Sequence, residues 1–267
     1  MPNLAVRFMG GRVVTDKQGY RVTPCADDGT DAFCVLGLGD SVMFGWGVDD
    51  NQTYLAQLCD LLAQAFPGRR FRVLNTAVPG YNTVMEVETL KARGLAYRPG
   101  LVLIHFVDND LYLPNFIRMP DAHMKMTRSY LVGALSRWRG GDLRTRPFER
   151  IVRRTDQVPE QCRFMVGEEA YTQAMRDLKT LGDEQAFKIL LLVNWTAPEY
   201  VAANAAELGI PLLELGPVLR RYRHEHTIVG DDDPLTVSRQ DPHFSPLAHG
   251  LIAEEIVRYV EQHALVP

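Results

Sequence analysis

The 267-residue chain carries 29 basic and 33 acidic side chains, a net charge of −4 with histidine neutral. At about 150 residues per domain that length allows one or two domains. The 46% apolar and 23% charged composition excludes a disordered or collagenous chain. A net acidic chain is a poor general nucleic-acid binder, which must neutralise phosphates with basic side chains. No apolar run approaches the roughly 18 residues that cross a bilayer.

Met1–Gly11 lacks the apolar core of a signal peptide, so a cytoplasmic protein is expected. A longer precursor would equally fit a periplasmic or exported one. Cys25, Cys34, Cys59 and Cys162 are separated by 9, 25 and 103 residues, which matches neither a zinc site nor a CxxC pair. Cys34 and Cys59 lie in apolar patterns and are expected as reduced core residues, not disulfide partners.

Residues 1–31 are polar, with turn signals at Gly10-Gly11 and Asp16–Gly19, and suggest a small hairpin laid on the main domain. Ala32–Leu38 is the first apolar strand. Tyr54–Phe66 then places Leu55, Leu58, Cys59, Leu61, Leu62 and Ala65 on one helical face, and Pro67-Gly68 stops it. Phe71–Asn75 is a second strand, and Thr83–Arg93 a second helix with Gly94 as its expected C-cap. Leu101–Val107 is the third strand. Residues 111–165 are long for a connection and hold ten Arg and one Lys against five acids. They are expected as a helical insertion, a solvated face or a platform for an anionic substrate. Phe187–Val193, a helix near Pro198–Leu208, the run Pro211–Leu215 and a last helix over Pro246–His263 complete the pattern.

Continuous apolar strands alternating with helices imply a parallel sheet covered on both faces. Five of them suggest a three-layer α/β/α sandwich with flavodoxin-like strand order 2-1-3-4-5. Ligands of such sheets sit at the carboxyl ends of the strands, so chemistry is sought there. The first strand runs into Gly39-Asp40-Ser41, which places a serine hydroxyl at that edge. Met43 replaces the second glycine of a G-x-S-x-G elbow, so the α/β-hydrolase arrangement is not supported. Gly80 precedes a helix after the second strand, and Asn109 offers an amide after the third. Asp241 and His243 are two apart, so in an extended stretch both project the same way, as an orienting carboxylate and a base do.

The ordered set of Gly-Asp-Ser41, Gly80 within PGYNT, Asn109 within FVDND and Asp241-Pro-His243 resembles the SGNH (GDSL-type) hydrolase family over roughly residues 32–110 and 185–263. The resemblance implies one flavodoxin-like domain and a serine esterase. It implies Ser41 as nucleophile, His243 as general base and Asp241 as its orienting partner. The N–H groups of Ser41 and Gly80 with the Asn109 amide would form the oxyanion hole. The chain departs from many members in a two-residue Asp–His spacing and in Val107, where a glycine is common. Its motifs look most like bacterial members that modify surface carbohydrates. A small acyl ester, such as O-acetyl on a carbohydrate, is the implied substrate, and no cofactor is needed. An O-acyltransferase and a non-catalytic carbohydrate-binding or scaffold protein are the rival readings. The oligomeric state stays open.

Trp46, Tyr81 and Trp195 fall at strand-end loops and are candidates to line a sugar or acyl pocket. His224-Glu225-His226 lacks a third ligand at metal spacing, and Asp231–Asp233 reads as a solvated acidic loop. His105, within an apolar strand, and His249, on the last helix, are expected as satisfied structural residues.

Overall fold

β3 (Phe33–Leu38), β4 (Phe71–Asn75), β5 (Leu101–Phe106), β6 (Lys188–Val193) and β7 (Leu212–Glu214) form one sheet in the order β4-β3-β5-β6-β7. Every pairing is parallel. This is the expected 2-1-3-4-5 order. The computed structural model describes residues 1–25, 31–114, 158–228 and 233–267. Most of the expected Arg-rich insertion, 115–157, lies outside the described residues.

The central strands β3, β5 and β6 read as nearly unbroken apolar runs because both faces are covered, while the edge strand β4 carries Arg72 and Asn75. Val35, Leu101, Leu103, Leu190 and Leu192 point to one side, against α2 (Tyr54–Ala65) and α7 (Pro246–Gln262). Leu36, Leu38, Val102, Ile104, Phe106 and Leu191 point to the other. There they meet α3 (Thr83–Ala92), α4 (Gly167–Gln185) and α5 (Glu199–Glu207). Each buried aliphatic side chain of this kind stabilises the fold by about 1.5–3 kcal/mol. The polar helix α4 buries the stripe Tyr171, Ala174, Met175, Leu178 and Gly182, at positions i, i+3, i+4, i+7 and i+11. α6 (Gly216–Glu225) follows β7.

Gly94 does not cap α3. Arg93 is the C-cap, and Gly94 opens a 3₁₀ turn. Its missing side chain serves packing, since a Cβ there would lie 2.8 Å from Leu90 Cδ1.

The N-terminal segment is the expected hairpin, with β1 (Ala5–Phe8) antiparallel to β2 (Gly11–Val14). Arg21, buried just beyond it, donates to the carbonyls of Arg12, Phe44, Gly45 and Val48 at 2.5–3.0 Å. It also pairs with Asp50 at 2.9 Å. Burial lowers its pKa, and the Asp50 hydrogen bond and charge oppose that shift. Cys59 corrects the sequence expectation: it is buried in the core as supposed, but it is bonded to Cys25 in a disulfide. Linear spacing could not show this, because the extension brings Cys25 back against β4, where its Sγ accepts the N–H of Val73 at 3.2 Å. Cys34 and Cys162 are free. Among the described residues no helix is long and apolar enough to cross a membrane.

A candidate active site at the carboxyl edge of the sheet

β3 ends on Gly37-Leu38 and Gly39 follows it, and both glycines are there for close approach. A Cβ on Gly37 would stand 2.6 Å from Leu55 Cδ1, and one on Gly39 2.6 Å from Met43 Cβ. That closeness lets the chain turn at once into the short helix α1 (Ser41–Phe44). Asp40 caps it, accepting the N–H of Val42 at 2.8 Å. Ser41 is therefore fixed at the sheet edge.

Asp241 and His243 lie on β9 (Asp241–Phe244), which pairs antiparallel with β8 (Thr236–Ser238) just before α7. His243 Nδ1 is 2.6 Å from Asp241 Oδ1, and His243 Nε2 is 2.9 Å from Ser41 Oγ. The Ser41 hydroxyl also lies 3.1 Å from Asp40 Oδ2. Its single proton serves one acceptor at a time. When His243 donates from Nδ1 to Asp241, Nε2 is left as a base facing the hydroxyl. A hydroxyl, an imidazole and a carboxylate in this series can pass a proton as a nucleophile forms.

Val78-Pro79-Gly80-Tyr81 closes with the Tyr81 N–H on the Val78 carbonyl at 3.0 Å. Proline second and a glycine third with φ +84° make a type II turn that a side chain at Gly80 would strain. Asn109 sits in the 3₁₀ turn Asp108–Leu111 after β5, and its Nδ2 donates to Asp40 Oδ2 at 3.0 Å. Thr83 Oγ1 and the N–H of Val107 both donate to Asp110 Oδ2 at 3.2 Å. This ties the Gly80 loop to the Asn109 loop. Asn82 caps α3 through Met85 N–H at 3.1 Å and donates to the carbonyls of Tyr112 and Met165. Asp40, Asn82 and Asp110 were not singled out by sequence. The available signal was their place before a helix or beside a candidate residue.

Trp46 stacks on His243, with ring centres 5.1 Å apart and planes 17° from parallel. Its Nε1 donates to Asp241 Oδ2 at 3.0 Å. Tyr81 instead borders a groove of about 1180 Å³ between the N-terminal hairpin and α3, whose wall includes Phe8, Phe44 and Met85. Trp195, 41% exposed after β6, lies under the guanidinium of Arg223 at 5.0 Å.

Beneath the site, His105 is buried with Nδ1 2.8 Å from the Tyr54 hydroxyl and Nε2 2.8 Å from Asn194 Oδ1. Burial lowers its pKa to about 4. His249 accepts the Tyr54 N–H at 3.1 Å, and burial lowers its pKa to about 3. Both are the satisfied structural histidines the sequence suggests. Burial, then the Asp40 charge, raises the Glu86 pKa well above the carboxylate range. Burial with the Glu86 and Asp40 charges does the same to Asp110. His224, Glu225 and His226 are exposed at the end of α6. Asp233 pairs with Arg223 at 2.6 Å, while Asp231 and Asp232 lie outside the described residues. Among the described residues no three His, Cys, Asp or Glu side chains cluster to hold a metal.

The family model of the GDSL-like lipase/acylhydrolases matches residues 38–251. No curated protein matches the chain. Among solved structures, TesA is 17% identical with a TM-score of 0.52, over 86% of this chain and 98% of that one. A variant of Axe2, an acetyl-xylooligosaccharide esterase from Geobacillus stearothermophilus, is 16% identical with a TM-score of 0.52, over 85% and 93%. The acetyl xylan esterase AlAXEase is 12% identical with a TM-score of 0.53, over 85% and 100%. At these identities the likeness is one of fold.

Proposed function

We propose, from the premise that the chain belongs to the GDSL-like lipase/acylhydrolase family and acts on ester bonds, that it is a serine esterase. Ser41 is the nucleophile, His243 the general base and acid, and Asp241 the carboxylate that orients the imidazole. The observation that carries this reading is the unbroken series Ser41 Oγ, His243 Nε2, His243 Nδ1, Asp241 Oδ1, with contacts of 2.9 and 2.6 Å.

Ser41 Oγ adds to the ester carbonyl carbon as its proton passes to His243 Nε2. The carbonyl electrons move onto oxygen. In this reading the oxyanion is held by the Ser41 and Gly80 N–H groups and the Asn109 amide. Collapse breaks the bond to the alcohol, which leaves with the proton from His243. Water adds to the acyl-serine and gives its proton to Nε2. A second collapse releases the acid and returns the proton to Ser41.

A small acyl ester is the substrate proposed, with O-acetyl carbohydrate as the first class to test. The shared fold of the two acetylated-xylan esterases supports that choice. The test is peptide mapping after fluorophosphonate treatment, with rates on nitrophenyl esters from acetyl to decanoyl and on acetylated oligosaccharides. Label is expected on Ser41, with the fastest turnover at acetyl. Ser41→Ala should lose about 10³-fold or more in rate. Label on another serine, or an active alanine variant, rejects the assignment.

A further inference from the structure

We infer that Trp46 is a positioning residue that holds the two halves of the proposed triad in register. This rests on the esterase reading above. Ser41 and His243 are 202 residues apart in sequence, on α1 and on β9. Trp46 reaches both halves. Its backbone N–H donates to the Ser41 carbonyl at 3.1 Å, and its indole N–H donates to Asp241 Oδ2 at 3.0 Å. Its ring covers one face of His243.

The Asp241 carboxylate has two different edges. Oδ1 takes the His243 ring at 2.6 Å and the His243 backbone N–H at 3.1 Å. Oδ2 takes Trp46. Rotation of the carboxylate about its last bond would break both sets, so the indole fixes the plane in which Oδ1 meets the imidazole. The imidazole plane is fixed in turn by the stacking.

The surroundings hold Trp46 as firmly as Trp46 holds the triad. It sits between Gly45, at φ +86°, and Gly47, at φ +80°, both in the left-handed region. A Cβ on Gly45 would stand 2.4 Å from Thr53 Cγ2. Arg21 binds the carbonyls of Phe44, Gly45 and Val48 around it. Phe8 of the hairpin meets the indole edge-on, with ring centres 4.7 Å apart. The N-terminal extension thus reaches the acid–base pair through one side chain. A wall of a substrate pocket would need neither the Asp241 bond nor this scaffold.

Trp46→Phe keeps a ring over His243 and deletes the indole donor. Loss of a hydrogen bond to a charged group corresponds to about ten- to hundredfold in rate. On nitrophenyl acetate kcat should fall by about that factor, with KM within about twofold, because the lost interaction acts on the reacting groups and not on bound substrate. Asp241→Asn should cost more. In its background Trp46→Phe should cost less than about twofold, since the two act through one carboxylate. A raised KM at unchanged kcat, or losses that multiply in the double variant, overturns the inference.

A measurement on the Trp46-containing protein guards against misfolded variants. The indole N–H of Trp46, one of three tryptophans, should shift in nitrogen–proton spectra when Asp241 becomes Asn. An unmoved resonance overturns the inference. Fluorophosphonate labelling of the unsubstituted protein separates the two failures: Ser41 still labelled while these tests fail sinks only the role of Trp46.

Discussion

Asp40 Oδ2 accepts the side-chain amide of Asn109 at 3.0 Å, joining the residue before the proposed nucleophile to a proposed oxyanion donor. An amide nitrogen has two hydrogens. With one on Asp40, the other has a fixed direction. Asn109→Ala should lower kcat about 10²–10³-fold with little change in KM, because the oxyanion exists only near the transition state. Asp40→Ala should also lower kcat while leaving Asn109 present but unaimed. Steady-state kinetics on one ester decide it: an Asn109 variant that raises only KM makes that residue a ground-state binder.

The central strands were legible because burial on both faces leaves nearly unbroken apolar runs, such as Lys188–Val193 with Ile189–Val193 all buried; the edge strands β4 and β7 are shorter and less buried. Ser41, Gly80 and Asn109 after the first three strands, and Asp241 and His243 before the last helix, could be picked out as candidates by their order along the chain. Trp46 was visible as a strand-end aromatic, but no periodicity links it to Asp241, 195 residues away. The Cys25–Cys59 bond was hidden for the same reason: it depends on where a loop returns. Helix α4 was not among the expected elements; its stripe from Tyr171 to Leu178 has helical spacing, but charged neighbours dilute it.

The disulfide joins residues 34 apart in sequence. A closed loop of that length stabilises the fold by about 3–4 kcal/mol on the chain-entropy account. Cys25→Ser, or reductant, should therefore lower the melting temperature by roughly 10 °C, at 2–4 °C per kcal/mol for a domain of this size. Thiol titration in denaturant without reductant should find two groups, Cys34 and Cys162. Four reactive thiols would mean that the bond does not form.

Glu86 and Asp110 set one side of the pH dependence of stability, and His105 and His249 set the other. The carboxyl pKa values are raised in the fold. The unfolded chain ionises first, so stability falls as pH rises from the unfolded value towards the folded one, by about 1.4 kcal/mol per unit and group. The histidines are lowered to about 4 and about 3. The unfolded chain protonates first, so stability falls as pH drops from about 6.5 through those values. Neither Glu86 carboxyl oxygen has a hydrogen-bond partner among the described residues. Over the range from pH 4 upwards, Glu86→Gln should leave the melting temperature nearly unchanged at the start and raise it as the pH climbs. A constant difference across that range would show that Glu86 does not titrate between folded and unfolded states.

Hydrolysis and acyl transfer would share the acyl-Ser41 of the proposed mechanism, so the proposed triad cannot separate them. They differ in which nucleophile arrives second. Water stands at about 55 M, and an acceptor at millimolar concentration outcompetes it only if it is bound and oriented beside the acyl group. Such a site would have to be built from side chains near Ser41. With Trp46 turned onto His243 and Asp241, one of the three candidate aromatics is already engaged. Trp195 lies under Arg223, and Tyr81 faces the groove beside α3. Among the described residues little further aromatic surface is left to stack a sugar over Ser41, so water is the expected second nucleophile. An activated acetyl ester should be supplied with candidate oligosaccharides, and free acetate weighed against acetylated sugar by mass spectrometry. Free acetate should dominate at every millimolar acceptor concentration tested. Acetylated sugar as the main product would make the enzyme a transferase, with the Ser41–His243 chemistry unchanged and an acceptor site still to be located.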